Sequence, residues 1–182
     1  MIPTSHFILF IGAALVMALT PGPNMIYLIS RSLCQGRAAG VISWAGVVLG
    51  FTVHMCCAAL GLTALFMAVP LGYEVLKIAG AIYLLWLAWQ ALRPGARSPF
   101  EARELAPQSP RKLFTMGLLT SILNPKVAIF YLSVLPQFIA PDAGSVLGQS
   151  FLLGGTHVAI SPCVDLLIGL SAAGIPHRFR NN

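Results

Sequence analysis

The spacing of charged residues limits this chain more than any other feature. Residues 41–69 run for 29 positions without an Asp, Glu, Lys or Arg. Four other stretches, 6–30, 73–92, 114–135 and 146–173, are nearly as apolar, with short charged or Pro/Gly-rich connections between them. A helix of about 20 apolar residues crosses the hydrocarbon core of a bilayer. Backbone polar groups in lipid must be paired internally, so stretches of this kind are expected to be transmembrane helices. The 29-residue stretch is longer than a perpendicular crossing needs, which implies tilt, a bend or projection past the core.

Composition agrees. Hydrophobic residues make up 57% of the chain and charged residues 9%, where a soluble domain carries about 25% charged residues. The mean hydropathy is +0.83. The 182 residues are filled by about five spans, 6–30, 41–69, 73–92, 114–135 and 146–173, as one membrane domain with a loop at 93–113. The expected fold class is all-α, a polytopic transmembrane helix bundle whose surface contacts membrane lipid. A net charge of +6 does not indicate nucleic acid, because so little of the chain can form a solvated basic patch. Met1–Ser30 contains no Lys or Arg, so it lacks the basic start of a signal peptide and is expected to be a retained span.

The basic residues orient the bundle. Nine of the eleven Lys and Arg residues fall on one side: Arg31 and Arg37 in one connection, Arg93, Arg97, Arg103, Arg111 and Lys112 in the next, and Arg178 and Arg180 in the tail. The opposite connections, around Pro70–Gly72 and Pro136–Ser145, have none. The positive-inside rule makes the basic side cytoplasmic, with the N-terminus outside and the C-terminus inside. Of the two remaining cations, Lys77 is three residues from Glu74 near a span end, where pairing or snorkelling accounts for it. Lys126 is near the middle of its span and needs another explanation.

Two spans carry helix breakers at comparable positions: Thr20-Pro21-Gly22-Pro23-Asn24 in the first and Asn124-Pro125-Lys126 in the fourth. Proline removes a backbone donor, so the carbonyls of Met17, Leu19 and Ser121 lose their helical partners. In lipid, such groups must meet protein or a watered cavity. If each break opens a three-span unit, the units enter from opposite sides, giving an inverted three-plus-three repeat whose broken helices mark a binding site. Exposed N–H groups at the half-helix starts, together with the Lys126 ammonium, suit a carboxylate, and the freed carbonyls suit an ammonium group. The substrate-binding candidates are therefore Thr20, Pro21, Gly22, Pro23, Asn24, Asn124, Pro125 and Lys126. Simple proline kinks, with Asn24 and Asn124 capping the local backbone, are the alternative, but they leave Lys126 without a partner. His54 and Asp165 also lie within spans and are candidates for proton coupling, His54 alternatively as a hydrogen-bonded packing residue.

Taken together, Leu19-Thr20-Pro21-Gly22-Pro23-Asn24, the long second span after Arg37 and Gly40, Lys77-Ile78-Ala79-Gly80-Ala81-Ile82-Tyr83-Leu84, Leu123-Asn124-Pro125-Lys126 and Pro136-Gln137-Phe138 resemble the LysE/RhtB family of amino-acid exporters. The resemblance covers about residues 5–170. It implies a bacterial inner-membrane exporter of amino acids or close derivatives, driven by the proton gradient and needing no cofactor. Family members carry a sixth hydrophobic segment, whereas this chain reaches Ile175-Pro176-His177-Arg178-Phe179-Arg180-Asn181-Asn182, so a member lacking the sixth span is expected.

Other classes stay open on the sequence. A truncated non-transporting remnant or an assembly partner is one. A membrane thiol relay through Cys56 and Cys57 is another, though adjacent helical residues point about 100° apart. No hydrolytic triad, metal spacing or phosphate loop suggests an enzyme. Oligomeric state is not encoded legibly, and a homo-oligomer stays open. The charge pattern makes a direct prediction. Single cysteines near Gly95 and near Ala143, in a background without the native four, react with membrane-impermeant reagents from the cytoplasm and the outside respectively; labelling of both from one side refutes the orientation.

Overall fold

A computed structural model describes residues 2–68, 78, 82 and 107–172. The third expected span, most of the loop 93–113 and the tail beyond residue 172 lie outside the described residues, and with them Glu74 and Lys77. Every regular element among the described residues is helical. In chain order they are α1 (Thr4–Leu19), α2 (Pro23–Gln35), α3 (Arg37–Ala68), α4 (Pro110–Ile122), α5 (Pro125–Ile129) and α6 (Val146–Ala172). From α5 the chain continues through a π-helical turn, Phe130–Val134, and a 3₁₀ turn, Leu135–Phe138.

Local chemistry explains the element ends. Thr20 precedes Pro21 and takes the extended conformation that a following proline favours, φ −70° and ψ 122°, so α1 stops at Leu19. Pro23 sits in the first turn of α2, where its missing N–H costs nothing. Asn124 is likewise extended before Pro125 and closes α4. α1 and α2 meet at 52°, and α4 and the Pro125–Phe138 helix at 46°, so each pair reads as one broken span. α3 and α6 are the two long apolar helices that can cross a membrane unbroken.

The connection expected at Arg31–Gly40 is far shorter than the sequence suggested. α2 continues to Gln35 and α3 begins at Arg37, leaving Gly36 as the link. Its φ of +86° lies where side chains are rarely tolerated, which lets the chain reverse in one residue. Arg31 is therefore a buried helical residue, 5% exposed, and not a loop cation.

α3 is the central helix, packed against α2, α4 and α6. Its contact with α4 depends on missing side chains. A Cβ on Gly46 would lie 2.1 Å from the Phe114 carbonyl oxygen, and one on Gly117 would lie 2.2 Å from that of Ser43. Small residues allow this backbone approach where no hydrophobic force draws helices together in lipid. The bundle is polar inside and apolar outside. Asn24, Asn124, Gln149, His157, Ser161 and Asp165 are buried, while Val16, Leu19, Leu60, Leu123 and Leu167 are exposed. Such a surface suits hydrocarbon. The N-terminal end of α6 is tied down by Gln149, whose amide accepts from the Ala140 N–H at 2.9 Å and donates to the Ala140 carbonyl at 2.8 Å.

Gly46→Ala and Gly117→Ala are expected to force α3 and α4 apart. Overpacking of this kind costs about 1–3 kcal/mol, which outweighs the ~1 kcal/mol that alanine gains over glycine in a helix. The detergent-solubilised protein should melt at a lower temperature in both variants. Gly12→Ala, whose Cβ meets nothing within 4 Å, should melt no lower than the parent.

Candidate substrate site at the two helix breaks

The two proline breaks, about a hundred residues apart in sequence, meet in the interior. Lys126, at the second position of α5, extends its side chain to the first break, where Nζ donates to the Thr20 carbonyl oxygen. In an unbroken helix that carbonyl would accept from Asn24; once α1 ends, it is open. Gly22 makes the reach possible, because a Cβ there would lie 3.0 Å from Cδ of Lys126 and 3.3 Å from Nζ. Lys126 thus has a partner within the chain, contrary to the expectation that a purely structural break would leave it unpaired. The carbonyl that it satisfies is that of Thr20, since a terminating helix exposes its whole last turn of acceptors and not only those opposite the prolines.

The second break is held by different groups. Asn124 caps α5, its Oδ1 accepting from the Lys126 backbone N–H at 3.0 Å. Pro125 deprives the Ser121 carbonyl of its helical donor; the Asn124 N–H takes part of that place at 3.1 Å, and His54 supplies a second donor, its Nε2 lying 3.1 Å from that oxygen and 3.2 Å from the Ile122 oxygen. Carbonyls accept only, so Nε2 carries the proton. His54 stacks over Tyr131 at 6.2 Å and is not among the cavity-lining residues.

The cavity between the breaks is lined by Gly22, Asn24, Asn124 and Lys126 on one side and by His157, Ser161 and Asp165 of α6 on the other. Thr20 reaches it through its carbonyl; Pro21, Pro23 and Pro125 shape the breaks but do not line it. The free volume is about 10 Å³, room for about one water molecule. In this conformation the cavity is too small for an amino acid.

Among the described residues, several lining groups have no partner. Asn24, 3% exposed, has no partner for Oδ1 or Nδ2, so it does not act as a cap as Asn124 does. His157, 1% exposed, has no partner at either ring nitrogen and is packed by rings: stacked on Phe130 at 3.9 Å, with Phe51 at 5.3 Å and Tyr131 at 5.1 Å. Ser161 Oγ is also buried and unpartnered. Asp165 is buried in the same lining, and among the described residues it forms no ion pair with Lys126. Buried polar groups usually have partners. Four unsatisfied or unpaired polar side chains around one small cavity are the mark of a site that a ligand completes.

Sequence reading missed His157 and Ser161, although a signal was present: His157, Ser161 and Asp165 follow at i, i+4 and i+8, which places them on one helix face. It also passed over Pro162, which lies within the continuous α6 beside Ser161 and whose carbonyl accepts from Trp44 Nε1 at 2.8 Å.

A profile of LysE type translocators matches residues 15–182, taking in both breaks, the cavity and α6. The chain belongs to the LysE type translocator family. This translocator is 34% identical over 150 residues to the homoserine/homoserine lactone efflux protein of Salmonella typhimurium, covering 82% of this chain and 71% of that protein. It is 32% identical over 164 residues to the protein of the same name from Salmonella typhi, covering 90% and 76%. To the leucine efflux protein of Klebsiella pneumoniae it is 29% identical over 168 residues, covering 92% and 79%. No solved structure matches the chain. The translocator is a multi-pass membrane protein.

The hydrogen-bonding of His54 predicts a structural role. His54→Phe leaves the Ser121 and Ile122 carbonyls without that donor, a loss of about 1–3 kcal/mol for buried acceptors, measured as a lowered melting temperature. His54→Gln restores a donor and should recover part of it. Equal stability of His54→Phe and the parent would show that the break does not depend on this bond.

Proposed function

We propose that this translocator exports amino acids or close derivatives across the bacterial inner membrane, binding them as zwitterions at the two helix breaks. The observation that carries this reading is the convergence of both breaks on one cavity, with Lys126 of the second bound to a carbonyl of the first. The efflux proteins to which the chain is similar supply the substrate class. A zwitterion brings both charges that the cavity can hold. Its carboxylate draws Lys126 Nζ away from Thr20, and its ammonium takes the Thr20 carbonyl so vacated and faces Asp165. The Asn24 amide and the Ser161 hydroxyl complete the polar contacts.

This exchange of partners links binding to shape. While Lys126 holds Thr20 the breaks are pinned together and the cavity admits about one water. Substrate replaces that pin with two interactions of its own, so the occupied state favours a different arrangement of the half-helices. The short helix of α5 and the π-helical turn after it are where the fourth span can adjust, since irregular hydrogen bonding tolerates rearrangement better than a continuous α-helix. Coupling to the proton gradient falls to Asp165, the ionisable carboxyl in the cavity, and not to His54, whose donor is engaged. The basic ends near Arg37 and Arg111 face the cytoplasm and the turn at Pro141–Ala143 faces outward.

Efflux from loaded cells, or from vesicles at matched expression, tests the site. Lys126→Met should abolish export, by more than about 100-fold when compared at equal amounts of inserted protein, and, since it leaves the Thr20 carbonyl without its donor, it should also lower the melting temperature. Asn24→Ala should reduce export several-fold. A Lys126→Met variant that exports at the parent's rate refutes the site. Asp165→Asn should remove the dependence of export on the pH gradient while leaving substrate exchange without a gradient; a variant still driven by the gradient excludes Asp165 as the coupling group.

A further inference from the structure

One buried charge takes no part in the cavity. Arg31 of α2 is 5% exposed, and among the described residues its Nε and Nη1 have no partner. Nη2 reaches only the Met116 thioether, at 3.8 Å, a weak acceptor. The guanidinium lies 5.6 Å from the centre of the Tyr27 ring. Tyr27 is itself committed, donating to the Leu113 carbonyl at 2.8 Å and accepting from Ser43 at 3.1 Å. No carboxylate among the described residues pairs with Arg31. Cation–π contact offsets part of the cost of burying a guanidinium, but not the cost of leaving two of its three nitrogens dry.

Helix geometry says what Arg31 faces. Asn24, Leu28 and Arg31 follow at i, i+4 and i+7, so Arg31 shares the face of α2 that presents Asn24 to the cavity. It stands about 10 Å further along the helix axis. One turn beyond, Gln35 is joined to the chain ahead of α4: Gln108 N–H donates to Gln35 Oε1 at 2.9 Å, and Gln35 Nε2 donates back to the Gln108 carbonyl. The order along this face is cavity, guanidinium, amide clamp.

We infer that Arg31 is an anion-binding station between the cytoplasm and the cavity, which takes the substrate's carboxylate when the Gln35–Gln108 clamp opens and passes it to Lys126. Two free guanidinium nitrogens match the two oxygens of a carboxylate. Arg31 on α2 and Lys126 on α5, at successive points of the path, let a carboxylate advance without ever being desolvated and unpaired. The inference rests on the cavity being the transport site. The same guanidinium chemistry would hold the phosphate of an anionic lipid, and the test separates the two.

The full chain is reconstituted in vesicles, and transport of labelled homoserine or leucine, whichever the parent carries faster, is measured with substrate presented at the cytoplasmic face. Arg31→Gln should raise KM about tenfold, the loss of one charge-assisted interaction, with Vmax within about a factor of two; Arg31→Lys, which keeps the charge, should fall between. An unchanged KM, or a fall in Vmax alone, overturns the inference and leaves Arg31 a packing residue. Parent activity that needs phosphatidylglycerol in otherwise neutral vesicles, a need that Arg31→Gln abolishes without a change in KM, assigns the site to lipid and also overturns it. Lys126→Met in the same vesicles reports on the cavity separately. If it is inactive while Arg31→Gln has a normal KM, only the Arg31 inference fails; if it is fully active, the cavity reading fails and this inference with it.

Discussion

A carbonyl in lipid must have a donor, and in this protein that requirement organises the interior. Two spans are interrupted by proline, and each interruption leaves acceptors that no helix satisfies. At the first break the Thr20 carbonyl takes the Lys126 ammonium; at the second the Ser121 and Ile122 carbonyls share His54 Nε2. Each donor comes from a different span, so the breaks cannot form without the helices that supply them. The bundle is joined at its most polar points, and packing follows: α3 brings His54 and also closes on α4 through Gly46 and Gly117.

The two joins differ in what can replace them. His54 is a ring N–H donor held between two carbonyls and stacked over Tyr131, away from the cavity lining. Lys126 is a cation held by a single neutral oxygen at the edge of a cavity. A carboxylate is a stronger partner for an ammonium than a carbonyl is. The first join is therefore exchangeable and the second is not. In the proposed mechanism that asymmetry lets the pin between the breaks give way to substrate while the His54 brace stays in place, although the two breaks look alike in sequence.

Beside the unpartnered hydroxyls of Ser32, Ser121 and Ser150, the other unsatisfied groups among the described residues follow one line. Asn24, His157 and Ser161 surround the cavity, and Arg31 continues the line along α2. Leaving a buried polar group unpaired costs about 1–3 kcal/mol, and four such groups are a large fraction of a protein's marginal stability. A polar ligand moving along this line supplies partners one after another. The rings around His157, those of Phe51, Phe130 and Tyr131, pack against it without offering its ring nitrogens a partner.

Much of this was written in the local sequence. The long helices follow from runs without charge: residues 146–173 were expected as a span and α6 is Val146–Ala172. The breaks follow from Pro21, Pro23 and Pro125, because proline's missing donor and the bias of the residue before it act within a few bonds whatever surrounds them. Membership in a transporter family was legible in the same motifs. Partnership was not. That Lys126 would meet Thr20, that His54 would brace Ser121, that Arg31 would be buried and not lie in a loop, and that His157 would be enclosed by three rings all depend on which faces of distant helices meet. Helices that are apolar all round carry no stripe to tell one face from another. What selects the faces is close packing at Gly46, Gly117 and Gly22 and the pairing of freed carbonyls across spans. Both act between residues tens of positions apart, so only the assembled tertiary structure decided them.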